Sequence, residues 1–304
     1  MKFSSWIRPL VLAFVLTTGL TVAATALAHP HGREHRHHHR QAAHHAHIGL
    51  SNHISLGHGP RRKSPLAPAP VPSGEGGTTF FEGSKISDYA MLQEAPGAIT
   101  EVPDPAGSGE SVMKMTVSNN DVAPITPTDN PRAQALSPNI IENGQEFWLQ
   151  TKFFLPPELP SIPGWMGLVA IYGAPFAGSG PWGVEIVENE LRWQRNGNYQ
   201  WDIPWNAPLE KGKWTTVLLH EKFASNGWVE MWINGEQITF FKTHRFNPLH
   251  EPETTRLQMQ TMDSSNNGAP NAAKIMQYRE AGMFSMASVY FGSLNLGTTR
   301  ASVE

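Results

Sequence analysis

From Gly76 onward the apolar residues recur in short alternating runs, never as a sustained helical stripe, and the runs are bounded by Gly, Pro, Asn and Asp. Each such run reads as a strand. The clearest is Trp228-Val229-Glu230-Met231-Trp232-Ile233, followed by Asn234-Gly235 and then Glu236 to Phe241. Asn-Gly favours the positive φ angles of a type I′ turn, which predicts a hairpin here. Asn196-Gly197 predicts a second hairpin, between 191–195 and 198–202. Further strands are expected at 111–117, 146–155, 166–172, 182–187, 214–223, 256–262, 274–278 and 288–296. So many short strands without βαβ spacing imply an all-β fold, a sandwich or jelly roll of two packed antiparallel sheets.

The alternation also sorts side chains by face, because successive strand residues point oppositely. Arg256, Gln258 and Gln260 share one face, with Leu257 and Met259 on the other. That row is suited to hydrogen bonding a ligand. His220 shares a face with Leu218 and Lys222, against Val217, Leu219 and Phe223, and Trp148, Gln150 and Lys152 fall together in the same way.

Composition divides the 304 residues into unlike pieces. Lys2 and Arg8 precede an apolar stretch from Leu10 to Leu27, and Ala26-Leu27-Ala28 is a small-x-small cleavage pattern. Residues 1–28 therefore read as a signal peptide of a secreted, extracellular protein, with an uncleaved anchor as the alternative. No later stretch is apolar enough to span a membrane. Eleven of the 14 histidines lie between His29 and His58, with almost no apolar residues among them, so 29–59 is expected to be disordered. Its imidazoles, with His37, His38 and His39 foremost, can chelate Zn or Cu weakly. Alternatively, its arginines make it a basic arm for an anionic envelope polymer. Five prolines between Pro60 and Pro72 mark 60–75 as a semi-rigid linker.

The folded part, 76–304, is acidic: residues 75–304 hold 15 Lys+Arg against 25 Asp+Glu, a net of −10. Nucleic acid is thereby an unexpected partner. The absence of cysteine excludes disulfides, zinc fingers and thiol nucleophiles. Asp121, Asp129 and Asp263 can ligate Ca, yet no loop shows ligands at a recognisable spacing, and they read equally as turn residues. A monomer is expected. Nine tryptophans lie in this part, and Trp182, Trp193, Trp201 and Trp205 fall within 24 residues. Aromatic faces beside Gln, Asn and Arg donors suit a saccharide groove, with Trp182, Trp193, Arg256, Gln258, Gln260 and Gln150 as candidate substrate contacts. The other reading of the tryptophans is sandwich core.

Several segments together resemble one family. These are Gln145-Glu146-Phe147-Trp148, Phe154-Leu155-Pro156, Ile171-Tyr172-Gly173-Ala174-Pro175, His220-Glu221-Lys222-Phe223, the Gly227 to Gly235 hairpin, and Lys274-Ile275-Met276-Gln277-Tyr278-Arg279. The chain is similar over residues 78–298 to the heparin lyase I-like polysaccharide lyases, of the concanavalin A-like superfamily. The resemblance implies a jelly roll that cleaves a uronate glycan by β-elimination, with Tyr278 moving a proton and Lys274 as its charged neighbour. His220 is a further proton-transfer candidate, from its place on an expected strand. Where such lyases have Gln-x-His, this chain has Ala170-Ile171-Tyr172, so Tyr172 stands at the histidine position; Met276 replaces a glycine. The net negative charge favours a less charged uronic acid polymer over highly sulfated heparin.

Two other readings remain open. One is a non-catalytic, lectin-like protein of the cell envelope. The other is a glycoside hydrolase, since Glu185 to Glu190 distantly resembles the paired-carboxylate strand of jelly-roll hydrolases, although Glu185 and Glu190 fall on opposite faces of an unbulged strand.

Overall fold

The computed structural model describes residues 76–121, 130–172, 180–197, 200–242, 250–262 and 268–304. The expected leader, histidine-rich segment with His37, His38 and His39, and proline linker lie outside the described residues, as do Asp129 and Asp263. In chain order the strands begin with β1 (Thr79–Gly83), β2 (Met91–Glu94), β3 (Ile99–Pro103), β4 (Ser111–Ser118) and β5 (Arg132–Leu136). They continue with β6 (Glu146–Phe154), β7 (Trp165–Tyr172), β8 (Trp182–Val187), β9 (Glu190–Gly197), β10 (Gln200–Pro208) and β11 (Trp214–Lys222). The last are β12 (Gly227–Ile233), β13 (Glu236–Gln237), β14 (Leu257–Met259), β15 (Ala272–Arg279) and β16 (Met286–Gly297).

These strands form two antiparallel sheets, as the alternation implied. The larger runs β13-β12-β11-β6-β16-β4-β3, with β1 also on β16 and β14 also on β12. The smaller runs β10-β9-β8-β7-β15-β5-β2. The core lies between their facing sides. Phe147, Leu149 and Phe153 of β6 and Val217 and Leu219 of β11 meet Val169 and Ile171 of β7, Val184 and Ile186 of β8 and Ile275 of β15. Each such side chain contributes about 1.5–3 kcal/mol on burial.

Local chemistry sets the turns. Asn234 (φ 52°) and Gly235 (φ 84°) make the expected two-residue turn between β12 and β13. Its second strand is short, because the chain leaves the ladder after Gln237. Glu188 (φ 52°) and Asn189 (φ 64°) make a similar turn between β8 and β9, and the Asn189 carboxamide oxygen accepts the Ile162 N–H at 2.8 Å. At the second Asn-Gly the register differs from expectation: Gly197 pairs with Gln200, so β9 runs through Asn196-Gly197 before reversing. Cross-strand pairs fix that register, notably Trp193 opposite Trp205 and Arg195 opposite Asp202, where Arg195 Nε donates to Oδ1 at 3.0 Å.

The strand expected over 256–262 shrinks to β14, Leu257–Met259. Only Gly227, Trp228 and Val229 offer it a partner. Beyond it the Thr261 hydroxyl turns inward, accepting the Ala224 N–H at 2.9 Å and donating to Lys222 O.

Trp182 and Trp193 correct the expectation of a saccharide contact. They are 1% and 0% exposed, stacked on each other at 6.2 Å inside the sandwich. The Trp182 indole N–H donates to Glu221 Oε2 at 3.0 Å, and Glu221 is itself fully buried. Both tryptophans alternate with outward residues on β8 and β9, and their large apolar rings fall on the inward side.

Candidate active site

The smaller sheet carries a polar patch on its outer face. On β15 the inward residues are Ala273 and Ile275, which turns Lys274, Met276 and Tyr278 outward. Arg279 points inward again, where its guanidinium donates to Val117 O (3.2 Å), Phe284 O (3.1 Å) and Asn119 Oδ1 (3.0 Å) and so ties β15 to the larger sheet.

Neighbouring strands complete the patch. β5 pairs with β15 so that Arg132 faces Tyr278 and Gln134 faces Met276. Ala133 and Ala135 enter the core, leaving Arg132 and Gln134 outward, although they are only 6% and 1% exposed. The Arg132 guanidinium lies 4.2 Å from the centre of the Tyr278 ring, and Trp165 packs its edge on that ring at 4.9 Å. Arg132 Nη1 also donates to Gln93 Oε1 at 3.4 Å. The amide of Gln134 is buried without a hydrogen-bond partner, an arrangement that costs about 1–3 kcal/mol.

β7 contributes through an irregularity. The register with β8 shifts between Gly167 and Val169, so that Leu168 and Val169 both enter the core. Gly167, Ala170 and Tyr172 are left outward. The Lys274 ammonium then sits 5.2 Å from the centre of the Tyr172 ring, and Lys274 is 7% exposed. Met276 occupies space that exists because residue 167 is glycine: a Cβ there would stand 2.6 Å from Met276 Cε.

Glu185 on β8 completes the cluster. Its Oε2 accepts from Gln194 Nε2 at 2.7 Å. Burial raises its pKa to about 7, with the Lys274 charge pulling the other way. Further out, Arg192 donates to Glu188 Oε2 (2.9 Å) and Glu190 Oε2 (3.0 Å). The face thus gathers two phenols, three cations and a carboxyl group that titrates near neutrality, a set competent for proton transfer beside a bound anion.

Of the residues expected from sequence, this face unites Tyr278, Lys274 and Tyr172. His220, Gln150, Arg256 and Gln258 lie instead on the outer side of the larger sheet, with the core between the two groups. There His220 stacks on Trp148 at 4.1 Å and spans Glu230 (Nδ1 to Oε2, 3.0 Å) and Glu146 (Nε2 to Oε1, 2.9 Å). Arg256 Nε donates to Glu230 Oε1 at 3.0 Å, and its guanidinium lies 4.0 Å from the Trp228 ring. Gln258 is exposed opposite Trp228, Gln150 stands opposite Leu218, and Gln260, past the end of β14, donates to Met262 O. Arg132, Gln134, Gln93 and Gln194 had no place among the sequence candidates. The signal for β5 was there in Arg132-Ala133-Gln134-Ala135, a polar and small alternation. Among the described residues no three His, Asp or Glu side chains converge as a metal site.

No curated protein matches the chain in sequence. Among solved structures, the endo-β-1,4-glucuronan lyase from the fungus Trichoderma reesei shares the fold, with a TM-score of 0.56 and 20% identity over 74% of this chain and 98% of that one. The marine PL-14 alginate lyase from Aplysia kurodai aligns with a TM-score of 0.48 and 9% identity, over 73% of this chain and 100% of that one. The polysaccharide lyase family model matches residues 81–260, from β1 through β14 and so across strands of both sheets. By that match over more than half its length, this chain belongs to the polysaccharide lyase family.

Proposed function

We propose that the protein is an exported lyase that cleaves a uronic acid polysaccharide by β-elimination on the outer face of the smaller sheet. The observation that carries this reading is Tyr278, with the Arg132 guanidinium 4.2 Å from its ring and Lys274 on the same strand face. β-Elimination needs the uronate carboxylate neutralised so that the C5 proton becomes acidic, and it needs a base for that proton. Arg132 and Lys274 supply positive charge for the carboxylate and for the enolate-like charge that develops. Tyr278 takes the C5 proton as phenolate, a form that a neighbouring cation stabilises.

Glucuronan is the first polymer to test, being the substrate named for the fungal enzyme of the same fold. The net charge of −10 disfavours a densely sulfated chain. The leader pattern supports export. The experiment is ultraviolet absorbance of the unsaturated uronyl product, with the protein incubated in turn with glucuronan, alginate, hyaluronan and heparin. Tyr278→Phe should lower turnover by about 10²–10⁴-fold while the protein stays folded. Full activity in that variant would overturn the assignment of the base.

Ala170 and Tyr172, where similar lyases carry Gln and His, favour a second reading, a glycan-binding protein without turnover. It requires saturable glycan binding, no unsaturated product, and affinity that survives Tyr278→Phe.

A further inference from the structure

Elimination also needs an acid, because the departing glycosidic oxygen O4 must take up a proton. The cross-strand register sets one group opposite Tyr278. Tyr278 of β15 pairs with Gly167 of β7, and Gly167 pairs in turn with Glu185 of β8. Tyr278 and Glu185 therefore flank a glycine on one face, two strands apart, with roughly 10 Å between their Cα atoms. The floor between them is apolar, since Met276 Cε lies over Gly167.

The adjoining row explains why the carboxyl lies low in the face. Lys274, Ala170, Gly183 and Gln194 stand side by side on β15, β7, β8 and β9. The two small residues in the middle leave a notch, and Glu185 Oε1 lies over it, 2.9 Å from where a Cβ on Gly183 would stand. Gln194 holds the other oxygen at 2.7 Å. Glu185 still keeps part of its surface open, so a ligand lying on this face can reach it.

We infer that Glu185 is the general acid of this site, delivering its proton to the leaving O4 oxygen while Tyr278 removes the C5 proton from the other side of the sugar. The inference rests on the uronate lyase reading above. In the step, the C5–H bond breaks and its proton passes to the Tyr278 phenolate. The freed electron pair forms the C4=C5 double bond, the C4–O4 bond breaks with its pair going to O4, and O4 takes the Glu185 proton. The site ends with Tyr278 as phenol and Glu185 as carboxylate, and one proton passed between them through water resets it.

The surroundings suit an acid that works near neutrality. Burial raises Glu185 to about 7. The charged and titratable groups facing it are Lys274 and Tyr278 from β15 and Arg192 from β9, the last paired opposite Glu185 and engaged by Glu188 and Glu190. Lys274 lowers the value, and burial outweighs it.

The test compares wild type with Glu185→Gln and Glu185→Asp on a uronate polymer and on a synthetic uronoside bearing nitrophenoxide at C4, which departs without protonation. Glu185→Gln should lower kcat on the polymer by about 10²–10⁴-fold at nearly constant KM, and should leave the nitrophenoxide substrate within a few-fold. The aspartate variant should recover part of the polymer rate. In wild type the kcat profile should fall on the alkaline side as Glu185 loses its proton, and that limb should be absent from the glutamine variant. Equal losses on both substrates would overturn the inference in favour of a positioning role, and full activity of Glu185→Gln on the polymer would overturn it outright. Absence of any turnover by wild type would overturn the lyase reading instead.

Discussion

Glu221 is a carboxyl group buried entirely inside the sandwich, and its effect on stability has a sign and a slope that can be measured. It lies on β11 facing the core, 0% exposed, with Oε2 accepting the Trp182 indole N–H at 3.0 Å and Oε1 without a partner. Burial holds it well above the usual carboxylate range, and the Trp182 hydrogen bond offsets only part of that. The folded protein therefore keeps a proton that the unfolded chain releases above a pH of about 4.3. Folding stability must fall as pH rises through that window, by about 1.4 kcal/mol per pH unit for one proton, until the folded-state pKa is reached.

Glu221→Gln keeps an acceptor for Trp182 and carries no charge in either state. Its unsatisfied amide adds an offset that does not depend on pH. Urea denaturation of both proteins from about pH 5 to about pH 6.5 should show wild type losing about 2 kcal/mol relative to the variant. Taking the difference cancels the contributions of Glu185 and every other titrating group. A difference that stays constant across this range, or one that grows in favour of wild type, would refute the reading of Glu221 as a buried neutral acid.

Trp193→Ala should cost about 3–5 kcal/mol in urea denaturation, as expected of a large side chain removed from a packed core; unchanged stability with weakened glycan affinity would restore its role as a saccharide contact. His220→Ala should leave turnover within a few-fold of wild type, because His220 stands on the opposite sheet from Tyr278, and its cost should appear as a modest loss of stability through Trp148, Glu146 and Glu230. A hundred-fold fall in kcat for that variant, with the fold intact, would move the active site to the larger sheet.

Strand identity was largely legible, and the reason is local. β8 lies where the alternation predicted it, residue for residue, and β4, β6, β7 and β11 differ from expectation by only a residue or so at their ends. The Asn234-Gly235 turn follows from backbone preference alone. β5 was missed although Arg132-Ala133-Gln134-Ala135 alternates, because its inward residues are alanines and lack the large apolar side chains that mark the other strands, while tertiary contacts bury its polar side as well. The alternation also correctly grouped His220 with Leu218 and Lys222. A period of two says which residues share a face, and it is silent on which face meets the other sheet and on which sheet a strand joins.

That silence accounts for the two corrections of place. Trp182 and Trp193 satisfy the alternation equally well as groove or as core, and only the packing of β8 and β9 against the larger sheet turns them inward. His220 and Tyr278 both sit on strands and both carry proton-transfer chemistry, yet strand order is a property of long-range pairing, and it puts β11 and β15 in different sheets. Glu185 is the same lesson in electrostatics. Local sequence decides that a carboxyl group occupies β8; the depth of the notch beside Gly183 and Ala170, and the approach of Lys274 from two strands away, decide that it titrates near neutrality. Backbone propensity and side-chain period act over a few residues and can be read along the chain, whereas desolvation and charge act through space and exist only once the sheets have closed.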